Sequence, residues 1–302
     1  MNHLALILYR LGKTLAQALT IIVLVFFLTR VVPGDAVDVL NAEGNLTEAQ
    51  AESLRGELGL DRPVHLQFVD WAGAALHGDF GTSLRFQQPV SHMLMSALPT
   101  TLALAGFGFV VGIVISFGVA IAAVMSRRSV FAGVVDLLNI WSISIPTFCA
   151  GVLAILVFSV WLGWVPILGN LLFPILILGI DKAGQIAKPL YEELSESSTA
   201  AHVRTARAKG LSPFRVAVFH LLPTGVPVAL AMSGLVLASL VAGTLTMEVL
   251  FGLPGVGSLM LNAIHGRDYP VIQATIVVIA VALVLINATM DLLHRAVDPR
   301  VA

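Results

Sequence analysis

Ser198-Thr199-Ala200-Ala201-His202-Val203-Arg204-Thr205-Ala206-Arg207-Ala208-Lys209-Gly210-Leu211-Ser212-Pro213 separates two long apolar runs of the chain. The run up to Lys209 favours helix, because alanine and arginine are strong helix formers. Gly210 stops it in the position of a terminating glycine. A second short helix restarts after Ser212, with Pro213 in its first turn. Leu222-Pro223 then leads into the next apolar run. A helix, a sharp turn and another helix make a docking knob rather than a linker. The plainer alternative is a basic surface loop that only helps to orient the chain.

The composition outside this stretch sets the class. Of 302 residues, 57% are hydrophobic and 12% charged, and the mean hydropathy is +0.92. Soluble domains carry about 25% charged residues, so the solvent for this apolar surface is hydrocarbon. The net charge of -1 gives no case for nucleic acid. Cys149 is the only cysteine, which excludes an intrachain disulfide. A crossing helix needs about 20 apolar residues, and about six candidates are found. They run from Thr14 to Val32, Pro99 to Met125, Ser142 to Trp161, Leu171 to Pro189, Pro223 to Met247 and Val271 to Leu293. Val130 to Trp141, with Asp136, reads as an interfacial helix leading into the third span, bent at Pro146. No small-residue cleavage site follows the first run, so it reads as an uncleaved span. The expected fold is thus all-α integral membrane, with a large extracytoplasmic loop after the first span.

Basic residues orient the chain. Arg10 and Lys13, Arg127 and Arg128, Lys188 to Arg215, and Arg295 and Arg300 fall on one side, which places both termini in the cytoplasm. The expected divisions are residues 1–32 for the N-terminus and first span, 33–98 for the extracytoplasmic segment and 99–302 for the core, with the knob loop at about 190–222. In the outer segment Thr47 and Gln50 form a capping box and Gly59 ends the helix they start. Another helix begins at Pro63, with Val64, Phe68, Trp71 and Ala75 on one face. That face packs on the membrane domain or its surface, or meets a binding protein.

The knob resembles the EAA loop of ABC importer permeases, a pattern of Glu-Ala-Ala, then Gly, then a hydrophobic residue and Pro. Gly210 and Pro223 stand at the family's separation and Ala206 matches its second alanine. Arg204 and Thr205 replace Glu and Ala, as in the dipeptide/oligopeptide/nickel branch, where Arg-Thr-Ala-Arg-Ala-Lys-Gly recurs. Pro33-Gly34-Asp35, Leu58-Gly59-Leu60-Asp61-Arg62-Pro63, Gly78-Asp79-Phe80-Gly81-Thr82-Ser83 and Leu98-Pro99-Thr100-Thr101-Leu102 are similar to the same branch. So are Phe251-Gly252-Leu253-Pro254-Gly255-Val256-Gly257, Arg267-Asp268-Tyr269-Pro270 and Asp298-Pro299-Arg300. Their order favours the first of the two permease subunits in such systems.

The resemblance implies a type I importer fold and a heterodimeric pore with a homologous second permease. It also implies two ATPase subunits that hold ATP and Mg, a substrate-binding protein outside, and no cofactor on this chain. Arg204, Thr205, Ala206, Arg207, Lys209, Gly210, Leu211 and Pro223 would form the ATPase-coupling loop. Peptides are the expected cargo, with nickel or a metal chelate as the alternative. A secondary transporter is the remote alternative, and it leaves the knob unexplained.

No enzyme site is found. Gly12-Lys13-Thr14 lacks the earlier glycine of a phosphate-binding loop, nothing fixes His65, His77 and His92 as a metal site, and no nucleophile elbow is present. Charge inside a span is costly and usually serves a cavity or a partner. Asp181 and Lys182 in the fourth span, and Glu248 near the outer end of the fifth, are therefore candidate pore or gate residues. An intersubunit contact is the alternative for the first two, and snorkelling to water for Glu248. Adjacent helix positions project about 100° apart, so Asp181 and Lys182 are not expected to pair.

Overall fold

A computed structural model describes residues 3–31, 37–38, 41, 44, 47–57, 59–126 and 129–297. Pro33-Gly34-Asp35, Leu58, Arg127, Arg128 and Asp298-Pro299-Arg300 lie outside the described residues, as do the side chains of Arg10 and Lys13. Every regular element described is helical. In chain order they are α1 (His3–Val31), α2 (Glu48–Glu57), α3 (Val64–Leu76), α4 (Val90–Met125), α5 (Ser129–Ser144) and α6 (Thr147–Ala154), the last continuing as π-helical turns over Ile155–Trp161. Then come α7 (Leu172–Ser197), α8 (Ala201–Ala208), α9 (Pro213–Val216), a π-helical turn at Ala217–Leu221, α10 (Leu222–Leu250), α11 (Val256–His265) and α12 (Tyr269–Val297). They form two compact units, one of residues 1–100 with 254–285, the other of 101–253 with 286–302.

Among the described residues three helical runs are long and apolar enough to cross a membrane: Val90–Met125, Pro213–Leu250 and Tyr269–Val297. A fourth crossing exists if the bent pair Val130–Ser144 and Thr147–Trp161 is one span. The first and fourth expected spans fall on α1 and α7. The described apolar stretch of α1 runs only from Leu15 to Leu28, and α7 carries Asp181, Lys182 and Lys188. Pro146 breaks the bent pair, which turns by 101°, because proline supplies no N–H to the turn before it.

Other boundaries differ from the sequence expectation. The second span was expected to start at Pro99, but α4 begins at Val90 and carries Pro99 inside it. Buried Val90, Leu94 and Ala97 recur at helical spacing ahead of the proline, and that packing outweighs one lost backbone hydrogen bond. The fourth span likewise runs on through Pro189 to Ser197. Helix α11 was not anticipated. Its start is set by Gly255, whose N–H donates to Ser258 Oγ at 3.1 Å.

In the first unit the segment between α1 and α4 folds as its caps dictate. Thr47 and Gln50 exchange bonds at the start of α2: Thr47 N–H donates to Gln50 Oε1 at 2.9 Å, and Gln50 N–H to Thr47 Oγ1 at 3.4 Å. Pro63 takes the capping position of α3 rather than its first turn. Phe68 and Trp71 close on buried Phe26 of α1, with ring centroids 5.2 and 5.4 Å apart, so this face packs on the first predicted span. Buried Asp268 fastens the loop after α3. Its carboxylate accepts from Ser83 Oγ at 2.5 Å and from the Leu84 N–H at 3.2 Å.

In the second unit α7 is the central helix, against α4, α5 and α10. Glycine permits this close approach, as it does between helices in lipid. A β-carbon on Gly179 would lie 2.5 Å from Val111 of α4, and one on Gly184 would lie 2.1 Å from the Leu138 carbonyl oxygen of α5. The α7 carbonyls also accept side-chain donors: Ser116 Oγ donates to Ala183 O at 3.1 Å, Asn139 Nδ2 to Gly184 O at 3.4 Å, and Ser142 Oγ to Asp181 O. Leu178, Ile186, Leu190 and Leu194 of α7 are fully buried with Leu240 and Met247 of α10 in one apolar core.

Gly184→Ala should therefore be destabilising at the upper end of about 1–3 kcal/mol, since a backbone carbonyl cannot rotate away from the new methyl. Gly118→Ala, with nothing within 4 Å of its added carbon, should leave the thermal midpoint in detergent unchanged. Equal midpoints for both variants would refute the close-packed α5–α7 contact.

Candidate functional site

The Ser198–Pro213 stretch folds as a knob on the second unit. Val203 and Ala206 fall one turn apart on α8 and are buried in the apolar core with Leu190, Leu194, Val216 and Leu221. The opposite face, with Arg204, Thr205, Arg207 and Lys209, is exposed. Helix α8 ends in a glycine turn. Gly210 has φ +78°, its N–H donates to Arg207 O at 3.0 Å, and the Leu211 N–H donates to Ala206 O at 3.3 Å. These are the 5→2 and 6→1 bonds of a Schellman motif, which needs a left-handed residue. Leu211 then turns back onto the core.

Ser212 caps α9 by accepting the Arg215 N–H at 3.4 Å, and Pro213 follows in the first turn. Four residues of α9 and a π-helical turn lead directly into α10, so Pro213–Leu250 is one continuous helical run of 38 residues. Pro223 lies exposed in the first turn of α10. The base of the knob is pinned to the end of α7: Thr224 Oγ1 donates to Ser197 Oγ at 3.0 Å, and a β-carbon on Gly225 would lie 2.6 Å from Leu190. A cavity of about 340 Å³ separates the knob from the end of α4, lined by Val124, Met125, Arg207, Leu211, Pro213 and Val216 among others.

The sequence reading overlooked Phe214. It follows Pro213 and is 57% exposed. Its signal was available, since an aromatic residue between a helix-starting proline and an arginine has no core position to fill. Arg215, counted only toward orientation, shares this exposed arm.

The candidate gate residues lie elsewhere. Asp181 and Lys182 are buried, and they do pair, with Lys182 Nζ 2.7 Å from Asp181 Oδ2. The expectation that neighbours on a helix cannot meet fails because the lysine stem is long enough to fold back across the angular offset between adjacent positions. The lysine stem starts close to α4, where a β-carbon on Gly112 would lie 3.4 Å from Lys182 Cβ. Glu248 is fully enclosed rather than snorkelling, and its Oε1 accepts from Thr101 Oγ1 at 2.6 Å. A Schellman turn at Gly252, with φ +61°, closes α10 just beyond it, where the Leu253 N–H donates to Glu248 O at 2.8 Å.

The chain is similar to known membrane components of transport systems. Residues 108–302 match the family described as binding-protein-dependent transport system inner membrane component, and residues 3–105 match the N-terminal family of such membrane components. A protein of Brucella abortus named as a peptide transport system permease is 34% identical, over 98% of this chain and 98% of its own length. A di/tripeptide transport system permease protein of Pseudomonas aeruginosa is 32% identical, over 99% of this chain and 98% of its own. In fold the chain resembles a subunit of the MetNI methionine ABC transporter, solved in inward-facing conformations, with a TM-score of 0.58, 24% identity and coverage of 68% of this chain and 96% of that one.

Removing one partner of a buried pair strands the other, at about 3–5 kcal/mol. Asp181→Asn and Lys182→Met should each lower the thermal midpoint in detergent, and the double variant should recover most of the loss. Losses that simply add in the double variant would show that the two groups do not support each other.

Proposed function

Because the chain belongs to the family of binding-protein-dependent transport system inner membrane components, the permease subunits of ABC importers, we propose that it forms half of a pore for peptides and is driven by partner ATPases through the α8–α9 knob. The observation that carries this reading is the knob itself, an exposed helix–turn–helix whose buried side is fused to the packing of α7 and α10. A rigid attachment of this kind passes a push on the turn to the long helices. The peptide names of its relatives support peptides over nickel or a metal chelate.

Alternating access is the mechanism proposed. ATP and Mg belong to two ATPase subunits, a homologous permease supplies the other half of the pore, and a binding protein delivers cargo from outside. Closure of the ATPases moves the knob. Helix α10 follows as a continuous rod, and α7 moves with it through their shared core. Asp181, Lys182 and Glu248 sit inside this moving body, where the bond from Thr101 of α4 to Glu248 of α10 resists separation of those two helices. The knob and both termini face the cytoplasm in this reading, and α2 and α3 face outward.

The left-handed backbone at Gly210 gives a direct test. A β-branched residue resists positive φ, whereas asparagine tolerates it. Gly210→Val should lower peptide-stimulated ATPase activity of the reconstituted complex about tenfold, given about 1–3 kcal/mol of strain, with normal membrane insertion. Gly210→Asn should retain most of it, and full activity in the valine variant would sink the coupling role.

Orientation is tested at Glu52, which is exposed on α2. After Cys149→Ala, a cysteine from Glu52→Cys should react with a membrane-impermeant thiol reagent in intact spheroplasts. Reaction only after lysis would reverse the proposed topology.

A further inference from the structure

We infer that the knob presents a cluster of cations with an exposed aromatic residue, and that the ATPase cleft receiving it is acidic; this rests on the coupling role proposed above. Arg204 and Arg207 lie one turn apart on the exposed face of α8, Lys209 stands at its end and Arg215 on α9. The sequence holds no carboxylate between Glu196 and Glu248. Among the described residues, none of these four cations makes a salt bridge. Like charges one turn apart repel, and only part of that repulsion is offset by the helix C-terminus near Arg207 and Lys209. The arrangement costs free energy in the isolated chain, and carboxylates on a partner would relieve it.

Phe214 completes the surface. It is 57% exposed beside Arg215. Arginine and aromatic residues are the types enriched at protein interfaces, the aromatic in a desolvated pocket and the charges around it. Phe214 is accordingly the anchor, and the cations set orientation and encounter rate.

Phosphate headgroups of the bilayer are the other source of negative charge at such a surface. Helix α8 is poorly made for them. An interfacial helix lies with its apolar face in the lipid, but the apolar face of α8, Val203 and Ala206, is already buried in the protein core. Arg204, Lys209 and Arg215 are therefore exposed, with Arg207 exposed beside the cavity next to α4, where a protein partner can meet them.

The test measures binding of separately purified ATPase subunits to the assembled permease pair in nanodiscs, as sodium chloride is raised from about 50 to about 500 mM. Wild-type affinity should fall steeply with salt, equally in zwitterionic and anionic nanodiscs. The triple variant Arg204→Gln, Arg207→Gln, Arg215→Gln should bind about tenfold more weakly at low salt, with a flatter salt dependence. Phe214→Ala should weaken binding at every salt concentration and leave the slope unchanged.

Wild-type affinity and slope in the triple variant would overturn the acidic-cleft inference while leaving the coupling role intact. A salt dependence that appears only with anionic lipid would overturn it in favour of headgroup binding. Unchanged binding and unchanged peptide-stimulated ATPase activity in both the triple variant and Gly210→Val would instead remove the knob's coupling role itself.

Discussion

Helix α7 can sit at the centre of its unit only where its neighbours meet no side chain. Gly184 brings the α5 backbone within reach of its own, and Gly179 does the same for Val111 on α4. In lipid the hydrophobic effect does not draw apolar helices together, so close packing and interhelical hydrogen bonds must hold them. Both are concentrated on α7. Its carbonyls at Asp181, Ala183 and Gly184 accept donors from Ser142, Ser116 and Asn139, bonds that form only because the glycines admit the partner backbones. Separation of the helices would break packing and hydrogen bonds together, so the unit holds as one body.

The same backbone device recurs at the ends of helices. Gly59, Gly78, Gly210 and Gly252 all have positive φ, and each is followed by a residue whose N–H reaches back to the helix it closes. Arg267 does this without the freedom of glycine, at φ +49°, so that Asp268 can turn to receive Ser83 and the Leu84 N–H. The surroundings of these turns differ. The β-carbon positions of Gly78 and Gly210 are open, with nothing within 4 Å, whereas that of Gly252 is crowded by Leu168 at 2.9 Å. A free turn on a fixed base is suited to meeting a partner, and a packed turn is suited to holding a shape.

The local rules were legible where they act through neighbours in sequence. Thr47 with Gln50, Gly59, Gly210 and Ser212 with Pro213 each specify a cap or a turn, and the structure has each one. The membrane class and the fold were equally legible, from composition and from the order of motifs. Decisions made by distant packing were not. Nothing near Pro99 says that Val90, Leu94 and Ala97 will be buried and carry α4 past the proline. Asp181 and Lys182 were read as pointing apart because helical projection describes where side chains start, not where a long one ends. Glu248 was read by its depth in a span, although its surroundings depend on Thr101, far away in sequence.

The long helix α10 also determines how a displacement can travel through the second unit. Helix α10 spans 29 residues, roughly 43 Å at 1.5 Å per residue. One end continues through the π-helical turn into the knob, and the other ends at the enclosed Glu248. In hydrocarbon the backbone of such a helix has no water to take its hydrogen bonds, so local unwinding is opposed along most of its length. A displacement of one end of α10 is therefore not absorbed in its middle and is carried as tilt or translation of that segment. Compliance is confined to places where the helical ladder is already irregular, the wide turn at Ala217–Leu221 and Pro227. Both lie near the knob, which leaves the segment from Pro227 to Glu248 as a stiff arm.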